Sequence, residues 1–270
     1  MTSESAASVY TLTRGAMPLL LSIPHMGTYI PDDIAETMTP VARRLDDTDW
    51  HLDRLYAFAD RLGATILQAR CSRYVIDLNR PPDGANLYPG QDTTGLCPID
   101  TFDKEALYLP GREPTEAEQE RRRERYWAPY HAALVQELDR LKALHGTVLL
   151  WEAHSIRSRV PRFFQGRLPD FNFGTARDAS TLPGLAQELA DLVTAQGNYT
   201  AVANGRFTGG YITRQYGRPT EGVHAVQLEQ AQITYMNETP PYAYVEPRAA
   251  AAAKAVQSAL ELALRRTAAS

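Results

Sequence analysis

Two histidines and one glutamate follow apolar segments that are typical of buried central strands. These residues and the segments that they follow are His25 after residues 17–24, His154 after residues 147–153 and Glu229 after residues 223–228. The carboxyl ends of strands in an open α/β sheet form its ligand crevice, so we expect the three side chains to lie close together. Imidazole and carboxylate groups suit Zn²⁺ and similar divalent cations, and a catalytic zinc keeps one coordination position open for water. The pattern therefore predicts a metal site, with separate core or capping histidines as the alternative.

Three aspartates in the segment after the first strand could supply the third protein ligand that a catalytic zinc normally has. Residues 40–62 have leucines near helical spacing and end at Gly63, which predicts an amphipathic helix. At about 100° per residue, Asp46, Asp49 and Asp53 share one face of that helix. Spacing does not choose among them, and an ordinary solvated helix surface is the alternative interpretation.

The most distinctive stretch of the chain is SRYVIDLNRPPDGANLYPG, residues 72–90. Asn79 and Arg80 lie here at the end of a predicted strand, and a guanidinium fork with a neighbouring amide can hold a substrate carboxylate. A structural ion pair between Arg80 and a loop acid is the alternative. Gly209 and Gly210 would let the backbone approach a ligand closely, although two adjacent glycines also form ordinary turns.

Strand-like and helix-like segments alternate along the chain, which is typical of a layered α/β fold. We predict one domain over residues 1–270, with a long loop at 81–110 whose length indicates a lid or wall of a functional site. The predicted strands are residues 17–24, 64–69, 73–78, 147–153, 199–203, 211–214 and 223–228. The predicted helices are residues 40–62, 116–144 with a break near Pro129, 184–196 and 247–266.

Composition excludes several classes of protein and partner. The 270 residues include 28 basic and 32 acidic side chains, a net charge of −4 that gives no positive field for nucleic acid. The two cysteines, Cys71 and Cys97, form no CxxC motif and provide neither a disulfide framework nor a thiolate metal cluster. The longest apolar run, residues 17–23, is too short to cross a membrane, and the N-terminus lacks the pattern of a signal peptide. We therefore expect a cytoplasmic protein that binds neither nucleic acid nor membranes.

Six segments, in this order, resemble the N-formylglutamate amidohydrolase (N-formylglutamate deformylase) family over residues 17–260. They are SIPHMG at 22–27, DTDWHLDRLY at 47–56, SRYVIDLNR at 72–80, AHS at 153–155, FTGGYITRQYG at 207–217 and QLEQAQITYMNE at 227–238. The resemblance implies a three-layer α/β/α sandwich with a mixed central sheet, similar in fold to zinc-dependent carboxypeptidases and deacylases. It also implies hydrolysis of N-formyl-L-glutamate to formate and L-glutamate in histidine degradation.

Carried over residue by residue, the resemblance implies one role for each matched residue. The metal ligands are His25, Asp49 and His154, the general base and acid is Glu229, and the carboxylate clamp is Asn79 with Arg80. Glu152 and Ala153 stand where family members commonly have Asp and Cys. On a strand, Glu152 points to the same side as His154 and could support it as a hydrogen-bonding partner.

The chemistry of amide hydrolysis suggests two further arginines. Arg73 could stabilise the charge that develops on the carbonyl oxygen, and Arg214, beside the glycine pair, could bind the second carboxylate of glutamate. The expected partner is a small N-acyl amino acid, and the expected assembly is a monomer or small homo-oligomer. A related zinc deacylase or carboxypeptidase for another substrate, and a ligand-binding protein without catalysis, are the alternatives.

Overall fold

The computed structural model describes residues 9–87 and 90–268, and its seven strands form one mixed sheet. The strands are β1 (Tyr10–Thr13), β2 (Leu19–Ile23), β3 (Thr65–Ala69), β4 (Val148–Ile156), β5 (Phe171–Gly174), β6 (Ala201–Ala203) and β7 (Val223–Ala231). They lie in the spatial order β1-β3-β2-β4-β7-β5-β6. The central strands β3, β2, β4 and β7 run parallel to one another, whereas β1 pairs antiparallel with β3 and β5 antiparallel with β7. Parallel central strands place their carboxyl ends at one edge of the sheet.

Helices cover both faces of this sheet. They are α1 (Asp32–Ala35), α2 (Leu52–Leu55), α3 (Phe58–Arg61), α4 (Glu116–Arg122), α5 (Ala128–His145), α6 (Leu185–Ala195), α7 (Tyr211–Tyr216) and α8 (Glu246–Ala268). The helices α5 on one face, and α6 with α8 on the other, contribute most of the buried helical side chains. The predicted three-layer α/β/α arrangement with a mixed sheet is confirmed.

The central strands separate two hydrophobic cores because successive side chains point to opposite faces. In β2, Leu19 and Leu21 pack in the core under α8, whereas Leu20 packs with Leu134 of α5 in the other core. All five residues of β2 and all nine of β4 are buried. Burial on both faces explains why these strands are continuous apolar runs in the sequence.

The predicted helix over residues 40–62 is wrong. A 3₁₀ turn at Pro40–Arg44 is followed by irregular chain and by the short helices α2 and α3. Leu45 and His51 have left-handed φ angles of 54° and 60°, which end one turn and precede the next. Of the leucines near helical spacing, Leu52 and Leu55 are buried, and Leu45 and Leu62 are partly buried against the two cores. The pattern therefore reflects burial and not a continuous helix.

Two predicted strands are also wrong. Residues 73–78 form buried turns, with Val75 N–H donating to Ser72 O at 2.9 Å, because the loop that follows covers them. Residues 211–214 are the first turn of α7. The strands β1 and β5 were not predicted, since each has four residues and too short a pattern.

Other predictions agree with the structure. The described part of residues 81–110 contains no helix or multi-residue strand, only isolated bridges such as that between Asp100 and Ala106. The predicted break near Pro129 is a π turn, Arg123–Trp127, between α4 and α5. Across the described residues, none of the helices combines the length and the apolar character required for crossing a membrane.

Candidate active site

Three predicted metal ligands meet at the carboxyl edge of the sheet. One nitrogen or oxygen atom from each of His25, Asp49 and His154 lies within 4.8 Å of the others, and all three residues are buried. The Asp49 Oδ2 atom is 3.1 Å from Nδ1 of His154 and 3.9 Å from Nδ1 of His25. Two imidazoles and a carboxylate facing one point form a donor set suited to a divalent cation.

Different elements bring these ligands together. His25 lies two residues after the end of β2, and His154 lies inside β4, which extends beyond the predicted end of that strand. Asp49 lies in the irregular segment before α2, where its N–H donates to His25 O at 3.1 Å. The Ser155 N–H donates to Asp49 Oδ2 at 3.1 Å and fixes the carboxylate against the sheet edge. Asp49 is therefore the aspartate that the fold brings to the histidines.

Both imidazoles are oriented by carboxylates on their far side. The Nε2 atom of His25 lies 2.7 Å from Asp77 Oδ1, and that of His154 lies 2.6 Å from Glu152 Oε1. Glu152 also accepts the hydroxyl and the N–H of Thr213 in α7. A carboxylate that accepts Nε2–H leaves Nδ1 to face the cluster, as metal-binding histidines require. The predicted supporting role of Glu152 agrees with this geometry.

The electrostatics of the cluster favour a bound cation. Burial and the Arg73 charge lower the pKa of His25, so its Nδ1 lone pair is available. Burial lowers the pKa of His154, but Glu152 and Asp49 outweigh burial and raise that pKa to about 10. The carboxylates of Glu152 and Asp49 thus favour a positive charge at His154. Either a proton or a divalent cation can supply that charge.

Glu229 lies beside this cluster on β7. The register of β4 and β7 pairs it with His154, so both side chains point to the same side of the sheet. Burial, with the Asp49 and Glu152 charges, raises the pKa of Glu229 to about 8 although His154 and Arg73 oppose the shift. A cation in the cluster would lower the pKa of Glu229 from this value towards neutral pH. A pKa near the working pH suits a residue that both takes up and releases a proton.

A pocket opens over these groups. Its charged wall contains the three arginines Arg73, Arg80 and Arg206 together with Glu229. The uncharged lining combines polar side chains with an aromatic and apolar part, which consists of Phe102, Ile156, Phe163 and Phe207. A mixed lining of this kind fits a small ligand that has anionic groups joined by a short apolar chain.

Arg73 and Arg80, both predicted as site residues, line this pocket and approach the same buried carboxylate. The Arg73 NH2 group donates to Asp77 Oδ2 at 2.7 Å, and the Arg80 NH2 group lies 3.8 Å from that oxygen. The Arg80 Nε donates to Thr94 O at 2.9 Å, which attaches the guanidinium to the long loop. Arg80 therefore lines the pocket and also has structural contacts, in part agreement with the alternative interpretation of a structural ion pair.

Asn79 and Gly210 form one close contact within the pocket. The Asn79 Oδ1 atom accepts the Ile212 N–H at 2.9 Å, and its Nδ2 atom lies 3.0 Å from His154 Nε2. A Cβ atom at Gly210 would lie 2.3 Å from Asn79 Nδ2. Gly209, next to it, has a φ of +113°, which favours glycine. Gly210 thus makes room for the asparagine, whereas Gly209 faces Thr213 and does not line the pocket.

Some predicted candidates lie elsewhere. Arg214 does not line the pocket, since it is exposed on α7 and its Nε donates to Gly209 O at 2.8 Å. Asp46 binds Arg44 and the Tyr242 hydroxyl, away from the histidines. Asp53 is exposed in the first turn of α2.

Sequence reasoning missed several residues of the pocket. These are Thr93, Phe102, Ile156, Phe163, Arg206, Phe207 and Gln227. Arg206 precedes the FTGG segment by a single position, and this proximity was the available signal. The aromatic residues come from separate loops, and nothing in their local pattern distinguishes them from core residues.

Comparison with known proteins agrees with the resemblance seen in the sequence. The sequence model of the N-formylglutamate amidohydrolase family matches residues 17–236. An N-formylglutamate deformylase of Pseudomonas aeruginosa is 50% identical over 253 residues, covering 94% of this chain and 95% of the relative. A Pseudomonas putida N-formylglutamate deformylase is 50% identical over 238 residues, 88% of this chain and 89% of the relative. The crystal structure of N-formylglutamate amidohydrolase from Ralstonia eutropha JMP134 has a TM-score of 0.79 at 29% identity and covers 97% of both chains. The expected family is confirmed, and the chain is a member of the N-formylglutamate amidohydrolases.

Proposed function

We propose that this chain hydrolyses N-formyl-L-glutamate to formate and L-glutamate. The observation that carries the proposal is the pocket in which Glu229 and the His25, Asp49 and His154 cluster lie with three arginines. Two relatives that are 50% identical over most of the chain are named N-formylglutamate deformylase, which supports the same substrate. The pocket chemistry agrees, because arginines suit the carboxylates of glutamate.

We propose that His25, Asp49 and His154 hold a divalent cation, with Zn²⁺ as the first candidate. The supporting observations are the Nδ1 atoms turned towards Asp49 and the carboxylates behind each imidazole. A bound cation of this kind supplies Lewis acidity, which activates water and polarises the amide carbonyl.

The chain's own residues then perform the proton transfers and bind the substrate. Glu229 takes a proton from the attacking water and gives it to the departing amine nitrogen of glutamate, because a buried carboxyl with a raised pKa can do both. Arg73 stabilises the negative charge that develops on the carbonyl oxygen. Asn79 and Arg80 bind the carboxylate next to the scissile amide.

Several wider proposals accompany this function. From the sequence we propose a single domain, a cytoplasmic location, a role in histidine degradation, and a monomer or small homo-oligomer. Each rests on the sequence patterns and the family resemblance described above.

The test measures bound metal in the purified protein and formate release from N-formyl-L-glutamate. Parallel assays use N-acetyl-L-glutamate and N-formyl-L-aspartate. We expect one divalent ion per chain and efficient turnover of N-formyl-L-glutamate. Turnover of other amides alone would move the assignment to a related deacylase, and ligand binding without turnover of any amide would indicate a non-catalytic protein.

A further inference from the structure

The three arginines of the pocket differ in what holds them. Arg73 is buried, donates to Asp77 at 2.7 Å and lies with its guanidinium carbon 4.9 Å from the centre of the Phe102 ring. Asp77 in turn binds His25. Arg73 is therefore tied to the metal-binding end of the pocket.

Arg80 also lies near that end. It approaches Asp77 at 3.8 Å and follows Asn79, whose amide lies 3.0 Å from His154. Three of its donors bind Thr94 O, the Thr94 hydroxyl and Asn79 O. Because a guanidinium has five N–H groups, these bonds fix Arg80 and still leave donors for a ligand. This position suits the α-carboxylate of the substrate, since the α-carbon is bonded directly to the scissile amide nitrogen.

Arg206 is held by a different set of contacts. Its Nε donates to Phe163 O at 2.6 Å, and its guanidinium carbon lies 5.2 Å from the centre of the Phe207 ring and 5.9 Å from that of Phe163. The backbone bond and the two rings restrict the orientation of this half-buried side chain. These contacts place the guanidinium of Arg206 against the aromatic part of the pocket lining.

The apolar residues of the pocket match the rest of the substrate. Two methylene groups separate the α-carbon of glutamate from its side-chain carboxylate, and Phe102, Phe163 and Phe207 provide apolar surface for them. An anion beyond these methylenes needs a cation, because a buried carboxylate without a partner is strongly disfavoured. Arg206 is the pocket arginine whose guanidinium lies over two of these three rings, those of Phe163 and Phe207.

We propose that Arg206 binds the side-chain carboxylate of the substrate and makes the site selective for N-formyl amino acids with two carboxylates. This inference rests on the proposed function and replaces the sequence-based expectation for Arg214, which does not line the pocket. Arg206 is then a specificity-determining residue, and Arg80 binds the carboxylate that all N-formyl amino acids share.

The test compares kcat/KM for N-formyl-L-glutamate and its neutral analogue N-formyl-L-glutamine in the wild type and in Arg206→Gln. Loss of a charged hydrogen-bonding partner should lower kcat/KM for the glutamate substrate by about 10- to 100-fold, mainly through KM. The value for the glutamine substrate should fall much less, because its neutral amide makes no charge-assisted bond to the guanidinium. Arg206→Lys keeps the charge without the fork and should give an intermediate ratio.

Three further variants complete the design. Arg80→Gln should lower kcat/KM for both substrates, because both have an α-carboxylate. Arg214→Gln tests the arginine of α7 that the sequence suggested for the same carboxylate. Arg218→Gln is the matched surface control, because Arg218 is exposed and forms an ion pair with Glu221. Thermal unfolding of each variant shows whether it folds, and Arg206→Lys decides the question if Arg206→Gln does not.

The outcomes separate this inference from the proposed function. If Arg206→Gln lowers kcat/KM for both substrates by the same factor, the inference is wrong while the proposed function stands. The same holds if Arg214→Gln, and not Arg206→Gln, changes the ratio of the two kcat/KM values. If the wild type releases no formate from N-formyl-L-glutamate, both fail. A much larger fall for the dicarboxylate substrate in Arg206→Gln supports both.

Discussion

At the scale of single residues, the site depends on which nitrogen of each histidine faces inward. Asp77 and Glu152 both accept from Nε2, so both Nδ1 atoms face Asp49. Glu152 reaches Thr213 of α7 as well, and this links the strand that bears His154 to a helix. The orientation of the ligands is therefore set by residues that need not touch the substrate.

Glu229→Gln tests the assignment of the proton-transfer residue. The amide is similar in size but cannot accept a proton, so kcat should fall by about 10²- to 10⁴-fold. Metal content, measured by elemental analysis, should stay at the wild-type value because Glu229 is not among the three clustered donors. His154→Ala is the comparison, and it should lose both metal and activity. A near-normal rate in Glu229→Gln would show that another group is the base.

Gly210→Ala tests the close contact between Gly210 and Asn79. The added Cβ would lie 2.3 Å from Asn79 Nδ2, so the asparagine must move away from His154 and from the Ile212 N–H. We expect a loss of about 1–3 kcal/mol in unfolding free energy and a clear fall in kcat/KM. Gly95→Ala is the control, because nothing lies within 4 Å of a Cβ there. Equal effects of the two substitutions would contradict this account.

At the scale of elements, the pocket walls are loops that one arginine joins. Arg162 donates to Asp92 at 3.0 Å and to Asp100 at 2.8 Å, and its side chain is 8% exposed. Thr93 and Phe163, which are neighbours of this contact in the chain, both line the pocket. The Asp92 and Asp100 side chains are 36% and 29% exposed, so solvent screens each ion pair in part. The connection rests on several bonds from one buried arginine, including one to Thr101 O at 2.8 Å.

Arg162→Ala tests this connection between the walls. Without the arginine, residues 90–103 should exchange amide hydrogens faster, and kcat/KM should fall several-fold because the pocket loses its fixed shape. Metal content should not change, since Arg162 is not among the clustered donors. Arg159→Ala, at an exposed position of the same segment, is the matched control. Unchanged exchange in 90–103 would show that other contacts hold the loop.

At the scale of the whole molecule, His131 joins three parts of the fold. It lies buried on α5, where Nε2 is 2.9 Å from Leu78 O and Nδ1 is 2.7 Å from the Tyr216 hydroxyl of α7. Its ring stacks on Trp127 at 3.6 Å between centres. Leu78 directly precedes Asn79, which lines the pocket, so the contact of His131 with Leu78 O helps to hold this part of the pocket lining. Burial lowers the pKa of His131 to about 3, although the bond to Leu78 opposes the shift.

This lowered pKa predicts how stability changes with pH. A histidine in the unfolded chain has a pKa of about 6.5. The contribution of His131 to the free energy of unfolding is therefore fully present above that pH. It is lost as the pH falls from about 6.5 towards 3, because only the unfolded chain binds the proton in that range. The slope from this one group reaches about 1.4 kcal/mol per pH unit.

Denaturant unfolding at a series of pH values measures this slope. His131→Gln keeps hydrogen-bonding groups but does not titrate, so its unfolding free energy should fall less steeply with acid than that of the wild type. His145→Gln, at the exposed end of the same helix, is the control. Parallel curves for the wild type and His131→Gln would mean that His131 is protonated in the folded state as readily as in the unfolded one.

The sequence by itself determined the central strands and the chemistry at their ends. The apolar runs of β2, β4 and β7 are local patterns produced by burial on both faces, and His25, His154 and Glu229 lie within or next to them. The motif at residues 72–80 likewise marked Asn79 and Arg80, even though the strand predicted there is a set of buried turns. The family could be identified for the same reason, since its motifs are short and local.

Only the tertiary structure decided which aspartate joins the histidines and which arginines line the pocket. Asp49 reaches the cluster because the chain leaves helical geometry around residues 45–51, and it is held by Ser155, 106 positions away. Arg206 lines the pocket, whereas Arg214 is exposed on the helix that residues 211–216 form in place of the predicted strand. Contacts between such distant segments are made by packing, and local periodicity has no information about them.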